Sequence, residues 1–194
     1  MPDAVPGEDP VLRFADGAAF GTWLAEHHAT SQGVRLEFAK RGNPASSLNY
    51  DQALHQALRF GWIDGQVRGG QDGWYRQRFT PRRRNSRWSQ RNCRFADELI
   101  ARREMEPAGL AQVEAAKADG RWAAAYAGPA AATVPEDLQR ALDADPEAAT
   151  FFSTLSSLNR YAILYRLEEA KRPQTRERRL NNFMEMLRRK ETLH

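Results

Sequence analysis

The sequence predicts an α+β fold: a small N-terminal sheet of one strand plus a hairpin, with helices, then a C-terminal bundle of short helices. Three observations carry this. Residues 34–38, VRLEF, alternate apolar and charged side chains, as a half-buried strand does. Residues 62–68 and 74–80 are two further strand-like runs joined by GGQDG, a turn sequence. Beyond Pro107 the apolar residues recur at helical spacing.

In chain order, the acidic, Pro-rich start reads as a flexible leader over 1–12. Asp16 is placed to cap a helix on which Phe20, Trp23, Leu24 and His27 share a face. The strand at 34–38 follows, then the turn-rich KRGNPASS. Ser47 is expected to cap a second helix with the stripe Ala53, Leu54, Ala57 and Leu58, and Gly61 suits its C′ position.

On the first hairpin strand Trp62, Asp64, Gln66 and Arg68 share one face. On the second, Trp74, Arg76, Arg78 and Thr80 share one, and Tyr75, Gln77 and Phe79 the other. One sheet face is therefore expected to bring aromatic rings, arginines and Asp64 together. Pro81 ends the hairpin. Ser89 caps a helix over about 90–103 with Cys93, Ala96, Leu99 and Ile100 inward. Later helices start at Leu110, after the capping-box sequence Thr133-Val-Pro-Glu136, after Asp145-Pro146, after Ser157 and after Pro173. Composition shifts near 105. The domains read as 13–105, α+β with the basic hairpin, and 106–194, helical, with GPAAATVP as a linker.

Hydrophobic content of 41% argues for a core rather than disorder. With one cysteine, Cys93, an intramolecular disulfide cannot form. No signal peptide and no apolar run of membrane-spanning length is present, which predicts a cytoplasmic protein. Arginine is the distinctive residue. Nine arginines against one acid, Asp72, lie between positions 68 and 94, with Trp74 and Trp88 among them. The guanidinium fork suits carboxylate and phosphate. A helix start behind an arginine loop adds its own N–H groups.

Phosphate-loop, dinucleotide, zinc-protease, paired CxxC and GxSxG motifs are absent, so no metal and no cofactor is assigned. The predicted site holds a small anion or phosphate-bearing group with Arg78, Arg82 and Arg83. Trp62, Tyr75 and Trp88 are its walls, and Thr80, Ser86 and Ser89 lie alongside. Asp64 orients an arginine or a ligand donor. As an alternative, Asp64 acts as the base of a hydrolase or transferase on an anionic substrate. As a further alternative, the arginines and aromatic rings bind single-stranded nucleic acid. A second basic group, Lys171, Arg172, Arg176, Arg178 and Arg179, reads as a solvated helix face.

FGWIDGQVR, RQRFTPRRRNSRWSQRN and LNRYAILYRLEEAKRPQTRERRL resemble the YdeI/OmpD-associated, or bacteriocin-protection, family. The resemblance runs from about Phe20 to the closing ETLH, and RFTPRR-x-x-S-x-WS is its specific element. The glycine-rich GGQDG departs from the short charged turn expected there. The resemblance implies a bacterial cytoplasmic protein with a helical C-terminal domain over about 130–190. The family name implies a link to bacteriocin or stress resistance.

Overall fold

The computed structural model describes residues 9–43, 45, 47–129 and 131–194. In order, the elements are β1 (Val11–Leu12), α1 (Gly17–His27), β2 (Val34–Ala39), α2 (Tyr50–Arg59), β3 (Trp62–Gly69), β4 (Trp74–Pro81), α3 (Gln90–Ala101), α4 (Pro107–Ala118), α5 (Glu136–Asp143), α6 (Pro146–Thr154), α7 (Ser157–Glu169) and α8 (Pro173–Arg188). The fold is α+β with a helical C-terminal region. It divides into two units between Tyr126 and Ala127. That division falls later than the composition shift near 105, because α4 shares a buried cluster with α2 and α3 through Val113 and Ala116.

In the first unit the sheet order is β1-β2-β4-β3. β1 runs parallel to β2, and the other pairs are antiparallel. Residues 1–8 of the expected leader lie outside the described residues. Val11 and Leu12 are not loose but pair with Arg35 and Leu36. On β2, Val34, Leu36 and Phe38 are buried while Arg35, Glu37 and Ala39 are half-exposed. This is the one-sided pattern of an antiparallel sheet covered on a single face. Phe20 and Leu24 of α1, Ala53 and Ala57 of α2, and Phe79 and Trp62 of the hairpin complete that core.

Helix α2 is central. Ala53 and Ala57 face the sheet cluster, whereas Leu54 and Leu58 join Trp88, Cys93, Ala96 and Leu99 on its other side. Burying each of these two leucines contributes about 2 kcal/mol. Its cap is Asn49 rather than Ser47. Asn49 accepts from the Gln52 N–H at 2.9 Å, and the Gln52 side chain accepts from the Asn49 N–H at 3.1 Å. Ser47 instead accepts from the Ala39 N–H at 3.3 Å. Gly61 has φ +73°, which a glycine adopts without the Cβ penalty.

In the second unit, Leu138, Leu142, Phe152, Ile163, Leu167, Phe183 and Leu187 form the core. The capping box expected from Thr133 does not form. Pro135 takes the N-cap position, with no side-chain cap. Asp145 does cap α6, accepting from the Ala148 N–H at 3.0 Å. Two arginines of the second basic group are tied down, while Lys171, Arg172 and Arg178 are exposed. Arg176 donates from Nε and Nη2 to the two oxygens of Asp137, at 2.6 and 2.8 Å, and Arg179 pairs with Glu169 at 3.1 Å. Among the described residues, no helix is long and apolar enough to cross a membrane.

Candidate functional site

The hairpin sorts the predicted site residues onto two sides of the sheet. Asp64 pairs with Phe79, and Val67 with Gln77, so three steps on β3 meet two on β4. This irregularity is a bulge, and it reverses the alternation beyond it. Arg68 thus falls opposite Arg76, on the arginine face, while Trp62 and Asp64 sit on the helix-facing side with Phe79 and Gln77. The expected meeting of Asp64, Trp62 and the strand arginines on one face does not occur. Cross-strand partners share a side, and the partner of Asp64 is Phe79.

Each residue has a definite place. Trp62 is 1% exposed and donates its indole N–H to the His28 carbonyl at 3.2 Å, so it belongs to the core. Tyr75 stacks on Phe38, with ring centroids 5.2 Å apart. Arg78 lies on the opposite face, paired bidentately with Asp9, and Thr80 is beside it. Asp64 is half-buried. Its Oδ2 accepts from the Tyr50 hydroxyl at 3.0 Å and from the Gln77 amide at 3.2 Å. Burial, then the Asp64 charge, then the hydrogen bond to it push the Tyr50 hydroxyl pKa up.

Arg82, Arg83, Ser86, Trp88 and Ser89 do come together, in the loop between β4 and α3. The Arg83 N–H donates to the Ser86 hydroxyl at 2.9 Å, and the Ser86 N–H donates to the Arg83 carbonyl at 2.9 Å. Ser89 caps α3 by accepting from the Asn92 N–H at 3.1 Å. The Tyr126 N–H donates to the Trp88 carbonyl at 3.0 Å, and the Gln90 N–H to the Tyr126 carbonyl at 2.9 Å. Arg121 donates to the Ser86 carbonyl at 3.0 Å. Tyr126 and Arg121 were not assigned to the site from sequence. Their distance along the chain hides them, and the only trace is an aromatic and an arginine in an otherwise Ala-rich stretch.

Arg82 is the centre of this loop. It is 6% exposed, and its guanidinium lies 3.5 Å from the Trp88 ring centroid. Nη1 donates to the Arg87 carbonyl at 3.1 Å. Nε and Nη2 are buried and have no hydrogen-bond partner among the described residues, and neither has the indole N–H of Trp88. Burial lowers the Arg82 pKa to about 10, against the pull of Tyr126, Asp64 and Cys93, so the group stays charged at neutral pH. Cys93 is buried behind it, and burial pushes its thiol up to about 11.

Residues 12–112, more than half of the chain, match a family described as a domain of unknown function, DUF8412. The chain belongs to that family. Residues 131–190 match the family described as bacteriocin-protection, YdeI or OmpD-associated, so the second unit carries an OmpD-associated domain. The RFTPRR element, by contrast, lies within the DUF8412 match. No curated protein and no solved structure matches the chain. The arginine loop and Arg82 are therefore features of the DUF8412 domain.

Proposed function

We propose that the DUF8412 domain binds a small anion, a phosphate-bearing group or a carboxylate, through Arg82 and the arginine loop. One observation carries this reading: the Nε–Nη2 edge of a buried arginine is left without a partner. That edge is the one a carboxylate or phosphate takes with two parallel bonds. Arg78 uses it on Asp9, and Arg176 uses it on Asp137. Arg82 presents the same edge, and no carboxylate among the described residues fills it. A buried charge without such partners costs several kcal/mol, and an anion would remove that cost. Arg83 and Arg84 are exposed beside it and add positive potential.

The edge is shut off from solvent, so entry requires local opening of the loop. Asp64 acts as an electrostatic counterweight to Arg82, and the Trp88 ring keeps the guanidinium flat. The test is calorimetric titration with phosphate and pyrophosphate, beside a thermal-shift series. Arg82→Lys keeps the charge and loses the two-pronged edge. We expect it to weaken phosphate binding at least tenfold with the circular dichroism spectrum unchanged. Equal binding by the wild type and Arg82→Lys, or no binding by the wild type at millimolar phosphate, would refute the reading.

A further inference from the structure

We infer that the sheet face opposite α1 and α2 is a docking surface for single-stranded nucleic acid, separate from the Arg82 loop. Arg35, Arg68, Arg76 and Arg78 lie on this face by register, and Arg13 joins them by its bond to Glu37 at 2.8 Å. The two acids there, Glu37 and Asp9, are each held by arginine. Glu37 accepts from Arg13 and from Arg76 at 3.0 Å, and Asp9 accepts from Arg78. Five arginines against two carboxylates leave an excess of three positive charges. Arg35 and Arg68 make no ion pair among the described residues. None of the buried clusters uses residues of this face.

The occupant follows from the layout. Trp74, Arg76 and Arg78 alternate along one strand, so their side chains recur at about 7 Å on one side. Arg13 sits over the Trp74 ring, 3.5 Å from its centroid, and is itself exposed. A row of cations beside a stacked Arg–Trp pair suits a flexible polyanion that also carries flat rings. Single-stranded nucleic acid has both, binding by phosphate contacts and base stacking. A rigid duplex offers no free base faces, and an acidic peptide carries rings only where its sequence supplies them, whereas every nucleotide brings both a phosphate and a ring.

The test is fluorescence anisotropy of the full chain with labelled 15-nucleotide oligothymidylate and oligouridylate, from 50 to 300 mM salt. We expect binding whose logarithm falls linearly with the logarithm of salt. The double variant Arg35→Ala/Arg68→Ala breaks no ion pair within 4 Å among the described residues, although the Arg35 charge also acts on Asp9 at longer range. It should flatten the slope by about 1.4, or 0.7 per phosphate contact. Trp74→Ala should weaken binding about tenfold. Arg82→Lys should change neither, which separates this face from the loop. Absence of binding at 50 mM salt overturns the inference. So does inorganic polyphosphate competing equally well with no effect of Trp74→Ala, since that marks a general polyanion surface.

Discussion

Arg78 of β4 grips Asp9, just before β1, with two parallel hydrogen bonds, Nη2 to Oδ1 at 3.1 Å and Nε to Oδ2. This pair fastens the start of the described chain to the middle of the sheet. It holds the Asp9 carboxyl below its usual range, the hydrogen bond from Arg78 outweighing the cost of burial. A carboxyl whose folded pKa is depressed stabilises the fold at pH values above its unfolded pKa of about 3.9 and loses that contribution as the pH falls through the folded value. Asp9→Asn should therefore cost about 1 kcal/mol at pH 7, a modest figure because the arginine is one-third exposed to solvent. Urea denaturation at pH 7 and at pH 3 checks this. The gap between wild type and variant should narrow at the lower pH, and a gap independent of pH would count against the pair.

Cys93 should be a poor nucleophile. Its thiol is buried and its pKa is raised to about 11 by burial, which the nearby Arg82 charge offsets only in part. A thiol raised in this way stays protonated until well into the alkaline range. Native protein at pH 8 should react with an aromatic disulfide reagent at least tenfold more slowly than glutathione, and unfolding in urea should remove the difference. Native reactivity matching glutathione would mean that the α3 face opens far more readily than its packing implies.

Gly109 allows α4 to lie against the end of α2. A Cβ there would stand 2.2 Å from the Arg59 carbonyl oxygen and 2.7 Å from that of Leu58. Backbone cannot yield as a side chain does. Gly109→Ala should therefore destabilise the first unit by about 2 kcal/mol, read as a lower urea midpoint. A loss below about 0.5 kcal/mol would mean that the helix shifts at little cost.

Local signals were legible in the sequence. The alternation in β2, the Asp16 and Ser89 caps, the α2 stripe and the turn between β3 and β4 are set by neighbours a few residues apart, and each appears in the structure. The bulge was not legible, because an added residue on one strand has a meaning only against its partner strand. That single irregularity moved Arg68 to the arginine face, and the register placed Asp64 with Phe79. The run of arginines after Pro81 marks Arg82 as part of a basic loop, and the structure sets its guanidinium over the Trp88 ring. Its burial was not readable, since it depends on Trp88 being packed with Trp122, which lies far along the chain. The Asn49 cap was missed because Ser47 and Asn49 are equally good cap formers two residues apart.

The bulge between Asp64 and Val67 also lets the hairpin carry one surplus residue without misplacing its tip. Deleting Gly65 or Gln66 would close the bulge, with Val67 still opposite Gln77 and Arg68 still opposite Arg76. The core strands would keep their pairing, since Asp64, Phe79 and everything nearer the helices lie on the other side of the irregularity. A one-codon deletion at this point would thus leave each side of the tip with the side chains it has, whereas the same deletion elsewhere in the strand would turn one end over. That makes residues 65–66 the point where the strand can change length without changing what the tip touches.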